Sequence, residues 1–368
     1  MKEIKKAIKR RIVIKIGSNI LTRKDGLLDM VSLTSIVGQV ATLHAEGIEI
    51  IIVSSGAVAA GRGELHINEK IDQVSARQLF SAVGQTKLLQ NYYSLFHNYG
   101  ITCGQVLTTK ESLSTRSHYL NQRNCLDTML QCGVIPIMNE NDAISVSELM
   151  FTDNDELSGL VATMMNADTL LILSNVNGVY AGSPDSGAPL IHKVGPGGPL
   201  KSKYILASRS SFGRGGMKTK AKIAIKVAEE GVNVFIANGR TADIITDIIH
   251  EGSEYASCTM FEPAKDISGV KRWIAHSEDF AKGELLIDSG TLKALTGTIA
   301  ASLLPVGVKA ITGDFKAGDI VRIIGPDGNQ IGVGKAMYGS MDAKKAMGLK
   351  GQKPIIHYDY MYLDNTIL

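Results

Sequence analysis

Five apolar, β-branched runs constrain what this chain can fold into more than any other feature: Arg11 to Ile16, Glu49 to Val53, Val134 to Met138, Thr169 to Leu173 and Val232 to Ala237. Each is strand-length and lacks the in-out alternation of a half-exposed strand, as expected of strands buried on both faces. Amphipathic segments such as Leu33 to Ala45 and Lys218 to Glu230 lie between them. Strands alternating with helices predict a three-layer αβα domain around a largely parallel sheet. Almost every run ends in small polar residues: Gly17-Ser18-Asn19, Ser54-Ser55-Gly56, Asn139-Glu140-Asn141, Ser174-Asn175 and Asn238-Gly239. In an open parallel sheet such ends share one edge, and ligands bind there.

The pattern breaks twice. Between Ala181 and Met217 the composition turns to Gly, Pro and Ser, so an excursion with no strand or long helix is expected beside the ligand site. After Trp273, short segments at Glu284 to Asp288, Val308 to Thr312, Asp319 to Ile324 and Gln330 to Lys335 are separated by Gly-bearing turns. They predict a small, mainly β domain. A length of 368 residues suits two domains, expected at 1–275 and 276–368.

The 39 Lys and Arg against 36 Asp and Glu leave a charge of +3, too small to make nucleic acid or an acidic membrane the main partner. From His276 onward nine Lys and Arg322 are balanced by two Glu and eight Asp. Cys103, Cys125, Cys132 and Cys258 form no Cys-x-x-Cys pair and have no His cluster of zinc spacing, so they read as reduced structural thiols. The basic Met1 to Arg11 passes directly into Ile12-Val13-Ile14 without an apolar leader, and no run reaches transmembrane length. A cytoplasmic protein is expected.

The densest chemistry is Asn139-Glu140-Asn141-Asp142, followed by Asp153-Asn154-Asp155. Carboxylates beside amides at a strand end suit a small zwitterion, with Asp142 facing an ammonium. The competing reading is a strand-to-helix turn, where Asn and Asp are also common. Lys15 lies inside an apolar run, and Gly213-Arg214-Gly215-Gly216-Met217-Lys218-Thr219-Lys220 opens an amphipathic segment. A glycine turn feeding a helix start presents N–H groups to anionic oxygens, although it is neither a Walker A sequence nor a dinucleotide fingerprint. Two lysines, a phosphate cradle and an amino-acid pocket suggest phosphoryl transfer to a carboxylate. Lys15 and Lys220 would meet the phosphoryl group, Asp155 would hold both ammoniums, and Ser54-Ser55-Gly56-Ala57 would offer donors to the acceptor. A carboxylate with a pKa of about 4.3 needs no general base near neutrality.

At these residues the chain resembles the amino acid kinases. The likeness rests on Lys15-Ile16-Gly17-Ser18, on the stretch from Val53 to Arg62, and on Ala82-Val83-Gly84-Gln85, Asn139-Glu140-Asn141-Asp142, Asp153-Asn154-Asp155 and Gly215 to Lys220. Lys271-Arg272-Trp273 and Leu304 to Phe315 resemble a C-terminal PUA module. The resemblance implies ATP- and Mg²⁺-dependent phosphorylation of the side-chain carboxylate of L-glutamate, the first step of proline synthesis, with proline as feedback inhibitor. It also implies a homo-oligomer, dimer or tetramer. Carried onto this sequence, it gives Lys15, Lys220 and Asp155 to catalysis and Ser55, Asp142 and Asn154 to glutamate. Lys15, Ser174, Asn175, Arg214, Gly215, Gly216, Met217, Lys218, Thr219 and Lys220 go to the nucleotide. Asn175 stands where the family commonly has Asp, and Arg214 where it commonly has Thr. The competing functions are a family member acting on N-acetylglutamate, aspartate or UMP, and RNA binding through the PUA-like module.

Overall fold

Strand β1, Arg11–Ile16, is buried along all but its first residue, which is why its sequence is continuously apolar. With β2 (Glu49–Ser54), β3 (Cys103–Thr108), β4 (Ile135–Glu140), β5 (Thr169–Ser174), β6 (Lys193–Val194), β7 (Asn233–Asn238) and β8 (Cys258–Phe261) it forms an eight-stranded sheet of order β3-β4-β2-β1-β5-β7-β8-β6. All neighbours run parallel except β7 and β8. The computed structural model describes residues 10–65, 71–110, 113, 116–144, 154–182, 187–196, 216–252, 256–264, 274, 281–297 and 301–363.

The helices of this unit are α1 (Ser18–Leu21), α2 (Met30–Ala45), α3 (Ala57–Glu64), α4 (Gln73–His97), α5 (Arg116–Gln131), α6 (Asn154–Met164), α7 (Met217–Glu229) and α8 (Ile244–His250). Successive strand residues face opposite sides. Ile12, Ile14 and Ile16 join the core cluster with Leu33 and Val40 of α2, Leu88 and Phe96 of α4, and Ile245 of α8. Val13 and Lys15 therefore face the other side, where α6 lies against β1.

Two glycines set the backbone around the strand ends. Gly56 precedes α3 with φ of 103°, a left-handed conformation that turns the chain sharply after β2. A Cβ on Gly84 would lie 1.8 Å from the Ala57 carbonyl oxygen, so α4 is seated against the backbone of α3. Asp72 starts α4 by accepting from the N–H groups of Val74 and Ser75.

The chain divides into Met1–Lys265 and Asp266–Leu368. The expected boundary between 275 and 276 falls outside the described residues. In the second unit β9 (Gly283–Ile287), β10 (Val308–Gly313), β11 (Ile320–Ile324), β12 (Gln330–Lys335) and β13 (Met361–Leu363) form a five-stranded sheet of order β10-β9-β11-β12-β13. Its core is built on Leu285, Ile287, Val321, Ile323 and Phe315, and it carries α9 (Ser289–Leu295) and α10 (Ser340–Ala346).

The excursion after Ala181 does contain a strand, the two-residue β6, which pairs with β8. Backbone pairing alone defines so short an element, and no side-chain pattern marks it. Among the described residues no helix is long and apolar enough to cross a membrane.

Candidate active site

The parallel strands bring Gly17, Ser54-Ser55, Asn139-Glu140, Ser174-Asn175 and Asn238 to one edge of the sheet, as their register requires. Lys15, next to last in β1, points toward the start of α6. Its ammonium lies 2.5 Å from Asp155 Oδ1. Lys220, in the first turn of α7, donates to Asp155 Oδ2 at 2.6 Å. Lys15 is 4% exposed, Asp155 0% and Lys220 9%. A buried lysine of this kind is tolerable only beside a counter-ion. Burial by itself pushes the Asp155 carboxyl up, but the Lys15 and Lys220 ammoniums outweigh it and hold its pKa down to about 2. Asp155 is therefore an anion at any physiological pH. Its two oxygens hold two ammoniums side by side, an arrangement that can neutralise charge on a group with several anionic oxygens.

Helix α7 adds a second set of donors. Gly216 is its N-cap in extended conformation, with no side-chain cap. Lys220 N–H is bonded to the Gly216 carbonyl at 3.2 Å, so the N–H groups of Met217, Lys218 and Thr219 precede the first intrahelical bond. Their dipole end favours an anion. Lys218 is exposed, while Met217 and Thr219 are half-buried. Ser174 is buried at the end of β5, and its hydroxyl lies 3.5 Å from the Oδ1 of exposed Asn175. Arg214 and Gly215 lie outside the described residues, as does Glu148.

The other end of the edge is a field of amides. Asn154 Nδ2 donates to Ser54 O at 3.0 Å, Ser55 Oγ at 3.0 Å and Asn139 Oδ1 at 2.9 Å. Ser55, Asn139 and Asn154 thus gather at one point. Asp142 sits beside them, already engaged: Arg77 meets its Oδ1 at 2.6 Å and Ser81 Oγ donates to Oδ2 at 3.4 Å. The expected pairing of Asp142 with a ligand ammonium would occur within an existing ion pair rather than at a lone carboxylate.

Of the α4 residues, sequence reasoning named only Gln85, within the motif Ala82-Val83-Gly84-Gln85 and without a role. Arg77, Ser81, Gln85 and Tyr92 all reach the strand ends from that helix. The available signal was polar residues at positions 77, 81 and 85, an i, i+4 stripe facing inward.

The family model of the amino acid kinases, described as "Amino acid kinase family", matches residues 10–238, and the PUA domain matches residues 283–358. A glutamate 5-kinase from Bacteroides thetaiotaomicron is 56% identical over 356 residues, covering 96% of this chain and 98% of that protein. Another glutamate 5-kinase, from Chlorobaculum tepidum, is 46% identical over 96% of this chain and 97% of its own. Among solved structures, the carbamate kinase from Giardia lamblia bound to AMP-PNP aligns with a TM-score of 0.51 at 15% identity, over 70% of this chain and 99% of that one. That likeness is one of fold. The family match spans well over half of the chain and contains the Lys15, Asp155 and Lys220 cluster. The chain belongs to the amino acid kinase family.

Proposed function

We propose that the chain transfers the γ-phosphoryl group of ATP to the side-chain carboxylate of L-glutamate, forming L-glutamyl 5-phosphate. The observation that carries this reading is the buried Lys15–Asp155–Lys220 cluster between a zwitterion-compatible amide field and a helix N-terminus. Curated relatives of nearly full length carrying the name glutamate 5-kinase support the choice of substrate over aspartate, N-acetylglutamate or UMP.

The acceptor carboxylate is already ionised near neutrality, so the reaction asks for alignment and charge neutralisation and not for proton removal. Lys15 and Lys220 meet the oxygens of the transferring group, and Asp155 fixes their spacing. Ser55, Asn154 and Asp142 hold glutamate, with Arg77 balancing the Asp142 charge. Ser174, Asn175 and the segment from Arg214 to Lys220 receive the nucleotide, the N–H groups of the α7 start facing its phosphates.

Mg²⁺ accompanies ATP in this reading. Among the described residues no three His, Cys, Asp or Glu gather as metal ligands, and the Asp155 carboxylate is committed to two ammoniums. A metal cage made of protein groups does not fit these residues. The same reading places the chain in the cytoplasm as a dimer or tetramer, with proline as inhibitor, a kinase domain at 1–275 and a PUA-like domain at 276–368.

An ADP-release assay offering glutamate, aspartate, N-acetylglutamate and UMP in turn tests the proposal. Turnover with glutamate at least tenfold above the others is expected; a higher rate with any other acceptor overturns it.

A further inference from the structure

The amide field carries an order that its hydrogen bonds make explicit. An Asn side chain can be turned either way, but two backbone groups settle the matter here. The Ser54 carbonyl can only accept, so the Asn154 atom 3.0 Å away is the NH₂ group. The Glu140 N–H can only donate, so the Asn139 atom 2.9 Å from it is the carbonyl oxygen. That same oxygen accepts from Asn154 at 2.9 Å. Asn139 must then aim its NH₂ group away, and it meets Gln85 Oε1 at 2.9 Å. Gln85, at 8% exposed and on a different element from all the others, terminates the chain as its acceptor.

We infer that Gln85 is a positioning residue for substrate binding: by accepting from Asn139 it holds Asn139 Oδ1 on Glu140 N–H and Asn154 Nδ2, and so reinforces the Asn154 orientation that the Ser54 carbonyl sets. With Nδ2 shared among Ser54, Ser55 and Asn139, the atom of Asn154 left to the cleft is Oδ1, an acceptor suited to an ammonium. Among the described residues that oxygen accepts no hydrogen bond. If Gln85 ceased to accept, the buried Asn139 NH₂ group would lose this partner, which loosens the hold of Asn139 on its neighbours. The bonds of its Oδ1 to Glu140 N–H and Asn154 Nδ2 would then be less firmly kept. The register of the relay depends on α4 being held at backbone distance from α3, the close approach that Gly84 permits one residue earlier. This inference deepens the proposed function and rests on it for the identity of the ligand.

The test compares the full-length parent with Gln85→Met, which keeps the volume and removes the acceptor, and Gln85→Glu, which restores an acceptor oxygen. Glutamate KM in Gln85→Met should rise by about five- to tenfold, the usual effect of losing one buried hydrogen bond, with ATP KM within about twofold. Gln85→Glu should recover most of the loss. An unchanged glutamate KM in Gln85→Met overturns the inference. So does a uniform fall in kcat with both KM values raised and no recovery in Gln85→Glu, the pattern of a merely structural residue.

A second readout needs no substrate. Hydrogen exchange of the ¹⁵N-labelled side-chain amides of Asn139 and Asn154 should be slow in the parent and faster in Gln85→Met. Unaltered protection refutes the relay even if the chain proves to act on another acceptor. A parent inactive on glutamate, with the exchange result as expected, would instead refute the assigned substrate and leave the relay standing. Should Gln85→Met fail to fold, the exchange comparison passes to Gln85→Glu, where protection must persist; faster exchange there would overturn the inference.

Discussion

Replacing Asp155 with Asn separates the charge of this residue from its shape. The variant is close to a protonated Asp155, neutral and nearly isosteric, so its cost can be read from proton linkage. In the folded chain the pKa falls from its ordinary value of 3.8 to about 2. At 1.36 kcal/mol per pKa unit that gap is worth roughly 2 kcal/mol. Removing one partner of a buried ion pair usually costs about 3–5 kcal/mol because the other charge stays buried and unpaired, but neutral Asn is spared the desolvation cost of the carboxylate, which the shift already nets off, so the smaller number is the better guide. The sign follows from the direction of the shift. Between the two values the unfolded chain binds the proton more readily, so the carboxylate contributes its full stability above pH 4. The contribution fades as pH falls toward 2.

Urea unfolding of parent and Asp155→Asn, followed by far-UV circular dichroism of the helix-rich first unit, measures the difference. A deficit of about 2 kcal/mol is expected at pH 7, still nearly complete at pH 5 and clearly smaller at pH 3. At pH 7 turnover should fall by about a hundredfold or more, because the two lysines lose the group that spaces them. A deficit that stays constant from pH 7 to pH 3 would refute the linkage argument, and a variant as stable as the parent at pH 7 would show that desolvation cancels the attraction of both lysines.

Lys15→Ala and Lys220→Ala should each lose about 2.7–4 kcal/mol of transition-state stabilisation while remaining folded by circular dichroism; activity within a few-fold of the parent in either one would remove it from the phosphoryl clamp. Arg214→Thr should raise the KM for ATP and leave kcat alone, since a contact made equally in ground and transition states affects only binding; an unchanged KM assigns Arg214 to solvent. Proline should raise the apparent KM for glutamate in initial-rate measurements, with Glu148 tuning the effect, and inhibition confined to kcat would point to a separate site.

What could be read in the sequence was what sits at strand ends. β1, β2, β4, β5 and β7 are buried on both faces, so their residues had to be apolar throughout, and their observed bounds differ from the expected ones by two residues at most. β3 escaped notice because it lies at the sheet edge with half-exposed interior residues and the unpatterned sequence Cys103-Gly104-Gln105. β13 was missed for a similar reason: three residues at the edge of the second sheet carry too little periodicity to detect. Lys15, Asp155 and Lys220 were legible because each stands where a strand ends or a helix begins. The α4 pairings were not, although Gln85 stood in a quoted motif, because they exist only through tertiary packing: Gln85 and Asn139 are 54 residues apart, and Arg77 and Asp142 are 65 apart. Local spacing carries no trace of such a pairing beyond the inward polar stripe itself.

The two halves of the edge also differ in charge in a way that orients the substrates. At the lysine end two ammoniums meet the Asp155 carboxylate in a setting that is nine-tenths or more buried. Two ammoniums side by side suit phosphoryl oxygens, and the dipole of α7 adds to the same preference. At the amide end Arg77 and Asp142 cancel, and Asn139, Asn154, Ser54 and Ser55 contribute dipoles without charge. A zwitterion can be held there without leaving an unpaired ion. Glutamate bound with its ammonium and α-carboxylate in the amide field would extend its third charged group, the side-chain carboxylate, toward the positive end, where the phosphoryl group waits. Removing the Arg77 counter-charge of Asp142 with Arg77→Met should therefore change the KM for glutamate, with little effect on ATP, and an equal change in both substrates would show that the two ends do not act separately.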